Sequence, residues 1–303
     1  MMRSDNDTWD LATSVGITAT IVAAARAAAS KRTNPIIEDP FAEQLVRATG
    51  AEPFVRLASG GLDFSALGTG WIVDLFAVRA RFFDRFFPDA LAAGIRQAVI
   101  LGSGLDSRAY RLEWPAGSVA YEIDRSAVIA FKNSTLSGLG ATPATELHCV
   151  GADLRRDWPT ALQEAGFDHS APTAWMLEGL MIGYLPGDAQ KRILDQITAL
   201  SARRSRLITD HVPPSSESLG SLLQTLAATW RQHGYDVDLT GLTYSDGGDD
   251  VEELLQNRGW TTSAYSLTDL VGAARVPIGD LDPSPNGHGV IRYLIATRND
   301  RDD

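Results

Sequence analysis

Apolar residues follow two different periods along this chain, and the change falls near residue 97. Upstream they recur at three- and four-residue intervals, the signature of amphipathic helices. The alanine-rich stretch from Val15 to Ser30 predicts a helix that Ser14 can cap. Asn34-Pro35 and Asp39-Pro40 punctuate the next stretch, and Phe41, Leu45 and Val46 mark a second helix that Gly50 can end. Ser59-Gly60-Gly61 reads as a loop. Trp71, Leu75, Val78 and Phe82 then follow at steps of four, three and four and make one apolar stripe. Residues 1–97 are therefore expected to form a helical cap over the open end of a sheet.

From residue 98 the apolar positions come as short continuous runs closed by glycine or an acid. Ala98 to Leu101, Val119 to Ile123, Glu146 to Val150, Thr173 to Leu177 and Arg206 to Thr209 predict five strands, with Trp260 to Ser266 and Val290 to Thr297 as two more. A helix from about Pro186 to Ala202 shows Ile193, Ile197 and Leu200 on one face. Strands alternating with helices predict an α/β fold over residues 98–303, a Rossmann-like sheet of seven mostly parallel strands. Residues 213–258 break the alternation. After Pro213-Pro214, a stripe of Leu219, Leu222, Leu223, Leu226 and Trp230 predicts a helix. The acidic run Asp246, Asp249, Asp250, Glu252 and Glu253 lacks calcium-loop spacing and reads as a solvated loop and helix start. This insertion and the cap are each expected to bury one face on the sheet domain. Their loops would wall a cleft suited to an apolar or elongated acceptor. Pro283-Ser284-Pro285-Asn286-Gly287 reads as a turn, and Asn299 to Asp303 as a frayed end.

Composition narrows the function. Twenty-seven basic residues against 38 acidic ones give a net charge of −11, which disfavours a general nucleic-acid surface. Cys149 is the sole cysteine, so neither an intrachain disulfide nor a cysteine-based metal site is expected. His148 sits beside it in a strand, and no His pair stands at ligand spacing to an acid, so no metal is expected. Asp5, Asp7 and Asp10 occupy the place of a basic leader region, and the run from Val15 to Ala25 is too short to span a bilayer. A cytoplasmic protein without membrane insertion is the expectation.

The chemistry concentrates where the first strand ends. Ala98 to Leu101 runs into Gly102-Ser103-Gly104, and Asp124 closes the second strand 20 residues after Gly104. The glycines let backbone approach a ligand closely, and the acid can accept from two ribose hydroxyls. A dinucleotide fingerprint needs a third glycine where Ser107 stands, and no Gly-Lys-Ser/Thr follows for a triphosphate. Spacing alone leaves open S-adenosylmethionine, which carries no phosphate, a dinucleotide, and a purely structural turn. Further candidates fall at strand ends: Asp153, Glu178, Asp210 and His211.

The run Val99 to Leu112, with Gly102-Ser103-Gly104-Leu105-Asp106-Ser107-Arg108 at its centre, resembles the glycine motif of actinobacterial S-adenosylmethionine-dependent methyltransferases related to the leucine carboxyl methyltransferases. The resemblance extends over most of the chain. It includes Trp9-Asp10-Leu11 with Val15-Gly16, Asp39-Pro40-Phe41-Ala42, Tyr121-Glu122-Ile123-Asp124, Gly151-Ala152-Asp153-Leu154-Arg155 and Glu178-Gly179-Leu180. It implies a class I methyltransferase fold, with Arg81 on the methionine carboxylate and Gly102 and Gly104 against the cofactor. Asp124, with Glu122 before it, would bind the ribose, Asp153 and Leu154 the adenine, and Glu178 the methionine end. Apart from the resemblance, His211, as a base or a substrate contact, and Tyr184 are the substrate-side candidates. Ala80 replaces a frequent threonine, and the run from Leu180 to Pro186 is looser than the family's. The implied reaction is in-line methyl transfer to oxygen, a carboxylate among the candidate acceptors, on a small molecule or peptide. A noncatalytic cofactor-binding or interaction protein, and a dinucleotide oxidoreductase, are the alternatives.

Overall fold

The computed structural model describes residues 16–214, 219–239, 242–244, 249–275 and 291–299. Ser14, the opening Trp9-Asp10-Leu11 and the turn at Pro283 to Gly287 lie outside those residues, as do Asp246 and the chain end after Asn299. The N-terminal helices are α1 (Gly16–Ser30), α2 (Ala42–Thr49), α3 (Glu52–Ser59) and α4 (Trp71–Ala92), with a 3-10 turn at Phe64–Leu67. Strands β1 (Gln97–Leu101), β2 (Val119–Asp124), β3 (Glu146–Gly151), β4 (Thr173–Met181) and β5 (Arg206–His211) alternate with α5 (Arg108–Arg111), α6 (Ser126–Gly138), α7 (Trp158–Glu164) and α8 (Gly187–Leu200). Helix α9 (Leu219–Gln232) and α10 (Val251–Gln256) precede β6 (Trp260–Tyr265), α11 (Leu267–Ala274) and β7 (Arg292–Arg298).

The seven strands form one sheet in the order β3-β2-β1-β4-β5-β7-β6. Strands β1 to β5 pair in parallel and β7 runs antiparallel between β5 and β6. This is the seven-stranded, mostly parallel architecture that the alternating pattern predicts. The order reverses beside β1, so its carboxyl end opens onto a crevice.

Each sheet face has its own cover. Val78, Phe83, Phe86 and Phe87 of α4 pack on Ala98, Ile100, Ala174 and Met176. The opposite face packs on α8 through Ile193, Leu194 and Ile197. The segment after the glycine turn forms only the one-turn α5. Pro115 and Gly117 then deliver the chain to β2.

The two apolar stripes behave differently. That of α4 does reach the sheet. That of α9 packs instead on the N-terminal helices: Trp230 meets Phe54 and Phe64 at 5.8 and 6.5 Å between ring centroids, and its indole N–H donates to Thr69 Oγ1 at 3.0 Å. Residues 249–256, grouped by pattern with the insertion, belong to the sheet layer, where Val251 and Leu255 pack with Trp260 and Ile197. Among the described residues no helix is long and apolar enough to cross a membrane.

Candidate functional site

The turn after β1 is built by its glycines. Gly102 and Gly104 have φ of +67° and +44°, a region that favours glycine. A Cβ on Gly102 would stand 3.3 Å from Leu180 Cδ1. The amides of Gly102 and Ser103 both donate to Ile123 O, and Gly104 N–H donates to Asp124 Oδ2 at 2.7 Å. Arg125 N–H donates to the other Asp124 oxygen at 2.7 Å. Burial pushes the Asp124 carboxyl above its ordinary value, opposed by those two amides.

This turn forms one side of a cleft across the carboxyl ends of the parallel strands. Of the residues expected at the site, Gly102, Gly104, Asp124, Asp153, Leu154 and Glu178 line it. So does Tyr184. The Asp153 carboxylate is held by Arg155, whose Nε and Nη2 donate at 3.0 and 2.7 Å. The hydrogen bond from Arg155 is the main reason its carboxyl is lowered to about 2.

A buried ion network lies under the cleft. Arg79 donates through Nε and Nη2 to Asp210 Oδ2 at 2.8 and 2.6 Å, and its Nη1 stands 3.0 Å from Glu178 Oε1. Glu178 Oε2 is 2.7 Å from Arg108 Nη1, which also pairs with Asp106, and Arg108 Nε donates to Asp84. Arg111 takes both Asp84 oxygens, and Arg26 holds Asp39 at 3.0 Å and Leu105 O at 2.7 Å. Ser107, where a dinucleotide site would need glycine, donates to Asp39 at 2.8 Å and ties the turn to the cap. Burial alone would raise Glu178, but Arg108 and Arg79 outweigh it and hold the carboxyl below its usual range. Four arginines thus face five carboxylates, of which burial raises Asp210 above its ordinary value against the attraction of Arg79.

Gly179 lets this network close. Its φ is +74°, its N–H donates to Asp210 Oδ1 at 2.7 Å, and a Cβ there would meet Arg79 Nη2 at 3.2 Å. The pairing of β4 with β5 shifts register between Leu177 and Met181, and that irregularity brings Glu178 into the cleft.

Three expected residues stand elsewhere. Arg81 does not line the cleft; Arg79 does. Two residues rotate a helix by about 200°, so the two arginines leave α4 on opposite sides. Glu122 is wholly buried one step below the strand end, 2.7 Å from Lys132 Nζ, and does not line the cleft. Only the last residue of β2 reaches the crevice, and that is Asp124. His211 lies within β5, opposite Met181 and Arg292, and is 2% exposed. Arg26, Arg79 and Asp106 are cleft residues that spacing alone does not single out. A signal for the buried Lys132 exists: it falls on the Val128, Ile129 and Leu136 face of α6. Among the described residues no group of three or more His, Cys, Asp or Glu is arranged to hold a metal ion.

His211 instead reports on stability. Neither ring nitrogen has a hydrogen-bond partner, and burial pushes the ring down to about 4. The folded state therefore favours the neutral ring. That contribution is present above the unfolded value near 6.5 and is lost as pH falls toward 4. His211→Phe should remove that part of the acid loss. Urea unfolding should find the variant's deficit relative to wild type smaller at pH 4.5 than at pH 7 by roughly 2 kcal/mol. An equal difference at both pH values would count against it.

Fold and cleft together define a class I methyltransferase: a glycine turn, a half-buried acid at the end of β2 and a crevice at the strand order's reversal. Residues 19–198 match the leucine carboxyl methyltransferase family. A Mycobacterium ulcerans protein provisionally named an S-adenosyl-L-methionine-dependent methyltransferase is 54% identical over 280 residues, covering 90% of this chain and 91% of that protein. A namesake from Mycolicibacterium gilvum is 49% identical over 311 residues, covering 98% and 100%. The crystal structure of a protein provisionally named a methyltransferase, from Thermobifida fusca, shares the fold with a TM-score of 0.51 at 18% identity, covering 96% of this chain and 97% of that one. The chain belongs to the leucine carboxyl methyltransferase family. It is an S-adenosylmethionine-dependent methyltransferase. The site fits that cofactor: a glycine cradle that a Cβ would fill, and a half-buried carboxylate that accepts from two backbone amides.

Proposed function

We propose that the enzyme methylates a carboxylate oxygen. The observation that carries this reading is the state of the acids and bases lining the cleft. Among the described lining residues there is no His, Lys or Cys. Glu178 and Asp106 are clamped by Arg108 and Asp153 by Arg155, and Asp124, the remaining lining acid, raised by burial and held by the Gly104 and Arg125 amides, is taken in this reading by the ribose. Arginine-held carboxylates with lowered pKa are poor proton acceptors near neutrality. An acceptor that needs no base at neutral pH is one that arrives ionised, and a carboxylate does so.

In this reading Asp124 accepts from the ribose hydroxyls and the backbone of the glycine turn lies against the nucleoside. Leu154 packs on the adenine. Arg79, not Arg81, meets the methionine carboxylate. Asp210 and Glu178 use three of its five N–H donors, which leaves two for that ligand group. The cofactor would bring a methyl group on a positively charged sulfur. A carboxylate oxygen forms one bond to the methyl carbon as its bond to sulfur breaks, the electron pair leaving on sulfur. No proton moves. The protein contributes alignment and exclusion of water.

The test is a pH profile with methyl-labelled cofactor and a carboxylic acid acceptor. The expected kcat/KM is flat from about pH 6 to 9 and falls only near the acceptor's own pKa. A tenfold rise per pH unit between 6 and 8 would show that a protein base is at work and would reject the carboxylate assignment.

A further inference from the structure

The walls that α4 and α9 give the cleft have a different character from the glycine turn. On α4, Trp71, Ile72, Leu75 and Phe76 line it, and Arg79 follows one turn later. On α9, Leu219, Leu222, Leu223 and Leu226 line it at spacings of three, one and three, a single stripe. Along these two walls the lining side chains up to Arg79 carry no hydrogen-bonding atom except the Trp71 indole. Trp71, Leu75, Phe76 and Leu222 are only half-buried, so protein leaves part of their carbon uncovered. The charged lining residues are engaged with one another or with backbone. Arg26 bonds to Leu105 and Asp39, Arg79 to Glu178 and Asp210, and Arg155 and Arg125 to Asp153.

We infer that these two walls hold the hydrocarbon tail of an amphiphilic monocarboxylic acid, its carboxylate turned toward Arg79. The inference rests on the carboxylate reading above and adds the nature of what the carboxylate is attached to. A peptide bearing the same group fits less well. It would bring an amide N–H and C=O per residue against α4 and α9 side chains that offer only the Trp71 indole N–H, and burying unpaired amides costs free energy. A hydrocarbon chain brings none. From Trp71 to Arg79 the α4 wall is about 12 Å long, which sets the length of tail it can cover.

The experiment uses the full chain with methyl-labelled S-adenosylmethionine and the straight-chain acids from butanoate to hexadecanoate. A dicarboxylate and a short peptide ending in leucine serve as comparisons. Expected is a rise in kcat/KM of about fourfold per methylene, the ratio equivalent to ~0.8 kcal/mol for a buried methylene. The rise should level off once the chain fills the wall. Leu222→Trp should move that level to shorter acids while calorimetry finds cofactor affinity unchanged. Turnover of the dicarboxylate or the peptide with no gain along the acid series would overturn this inference and leave the carboxylate reading in place. If no acid of any length is methylated while an alkyl phenol or alkyl amine is, both fall together.

Discussion

Replacing Arg79 by lysine should weaken S-adenosylmethionine binding by at least tenfold, and replacing it by leucine should also destabilise the fold. The guanidinium serves Asp210 through two nitrogens and Glu178 through the third, all in burial. Burial alone would make this cation easier to deprotonate, but Asp210 and Glu178 hold its pKa raised. Lysine supplies a point charge in place of the planar fork and cannot reach both carboxylates with the same geometry. Leucine leaves Asp210 buried without its counter-ion and Glu178 with Arg108 alone, a change that costs about 3–5 kcal/mol. Arg81→Leu is the paired control. It should stay within about 0.5 kcal/mol in unfolding free energy and within about threefold in cofactor affinity. Calorimetry and urea unfolding of the three variants decide the matter. Normal cofactor binding by Arg79→Lys together with loss in Arg81→Leu would return the role to Arg81.

The contrast between these two arginines shows what can be read in advance. The core stripe of α4, Trp71, Leu75, Val78 and Phe82, is visible from spacing because apolar side chains announce it. The cleft stripe, Ile72, Phe76 and Arg79, overlaps it and is turned toward the neighbouring face. Both arginines of the Arg79-Ala80-Arg81 triplet flank the core stripe, so the sequence offers no local reason to choose between them. The choice is made by Asp210 and Glu178, which reach Arg79 from β5 and β4, far along the chain. By contrast the glycine turn and Asp124 are legible because their chemistry is local. The turn geometry demands glycine, and Asp124 bonds the amide of the second one. The seven strands are legible too, since a sheet covered on both faces requires unbroken apolar runs.

Glu122 and His211 fail as cleft residues for a shared reason. Both are polar residues near strand ends, and a strand end is recognisable in sequence only to within a residue or two. Glu122 stops one step short of the crevice. His211 is still in register with both neighbouring strands. The α9 stripe is a different case. Its period gives the helix and its apolar face but not the partner, and the partner proves to be Phe54, Phe64 and Thr69 of the cap.

Lys132→Met should be the other variant with a large effect, and its cost should depend on pH. Lys132 is buried, 2.7 Å from Glu122 Oε2 and 3.3 Å from Ser103 Oγ, directly beneath the glycine turn. Burial raises the Glu122 carboxyl above its ordinary value even with Lys132 opposing it. Without the ammonium that rise should grow, because the attraction of Lys132 disappears while Asp106 and Asp124 still repel the carboxylate. A carboxyl raised on folding takes up a proton as the chain folds. Stability is therefore retained below the unfolded value near 4.5 and declines as pH climbs through the gap to the folded value. At pH 8 the variant should lose about 3–5 kcal/mol, the cost of a buried charge without its partner, and at pH 5 distinctly less. Glu122→Gln in the same chain removes the orphaned charge, so the double variant should recover most of the loss and show little of its pH dependence. Cofactor affinity, measured on folded protein at pH 7, should fall in the single variant because Ser103 loses its support at the turn. Equal losses at pH 5 and pH 8, or a double variant no more stable than Lys132→Met alone, would show that Lys132 acts by packing and not by charge.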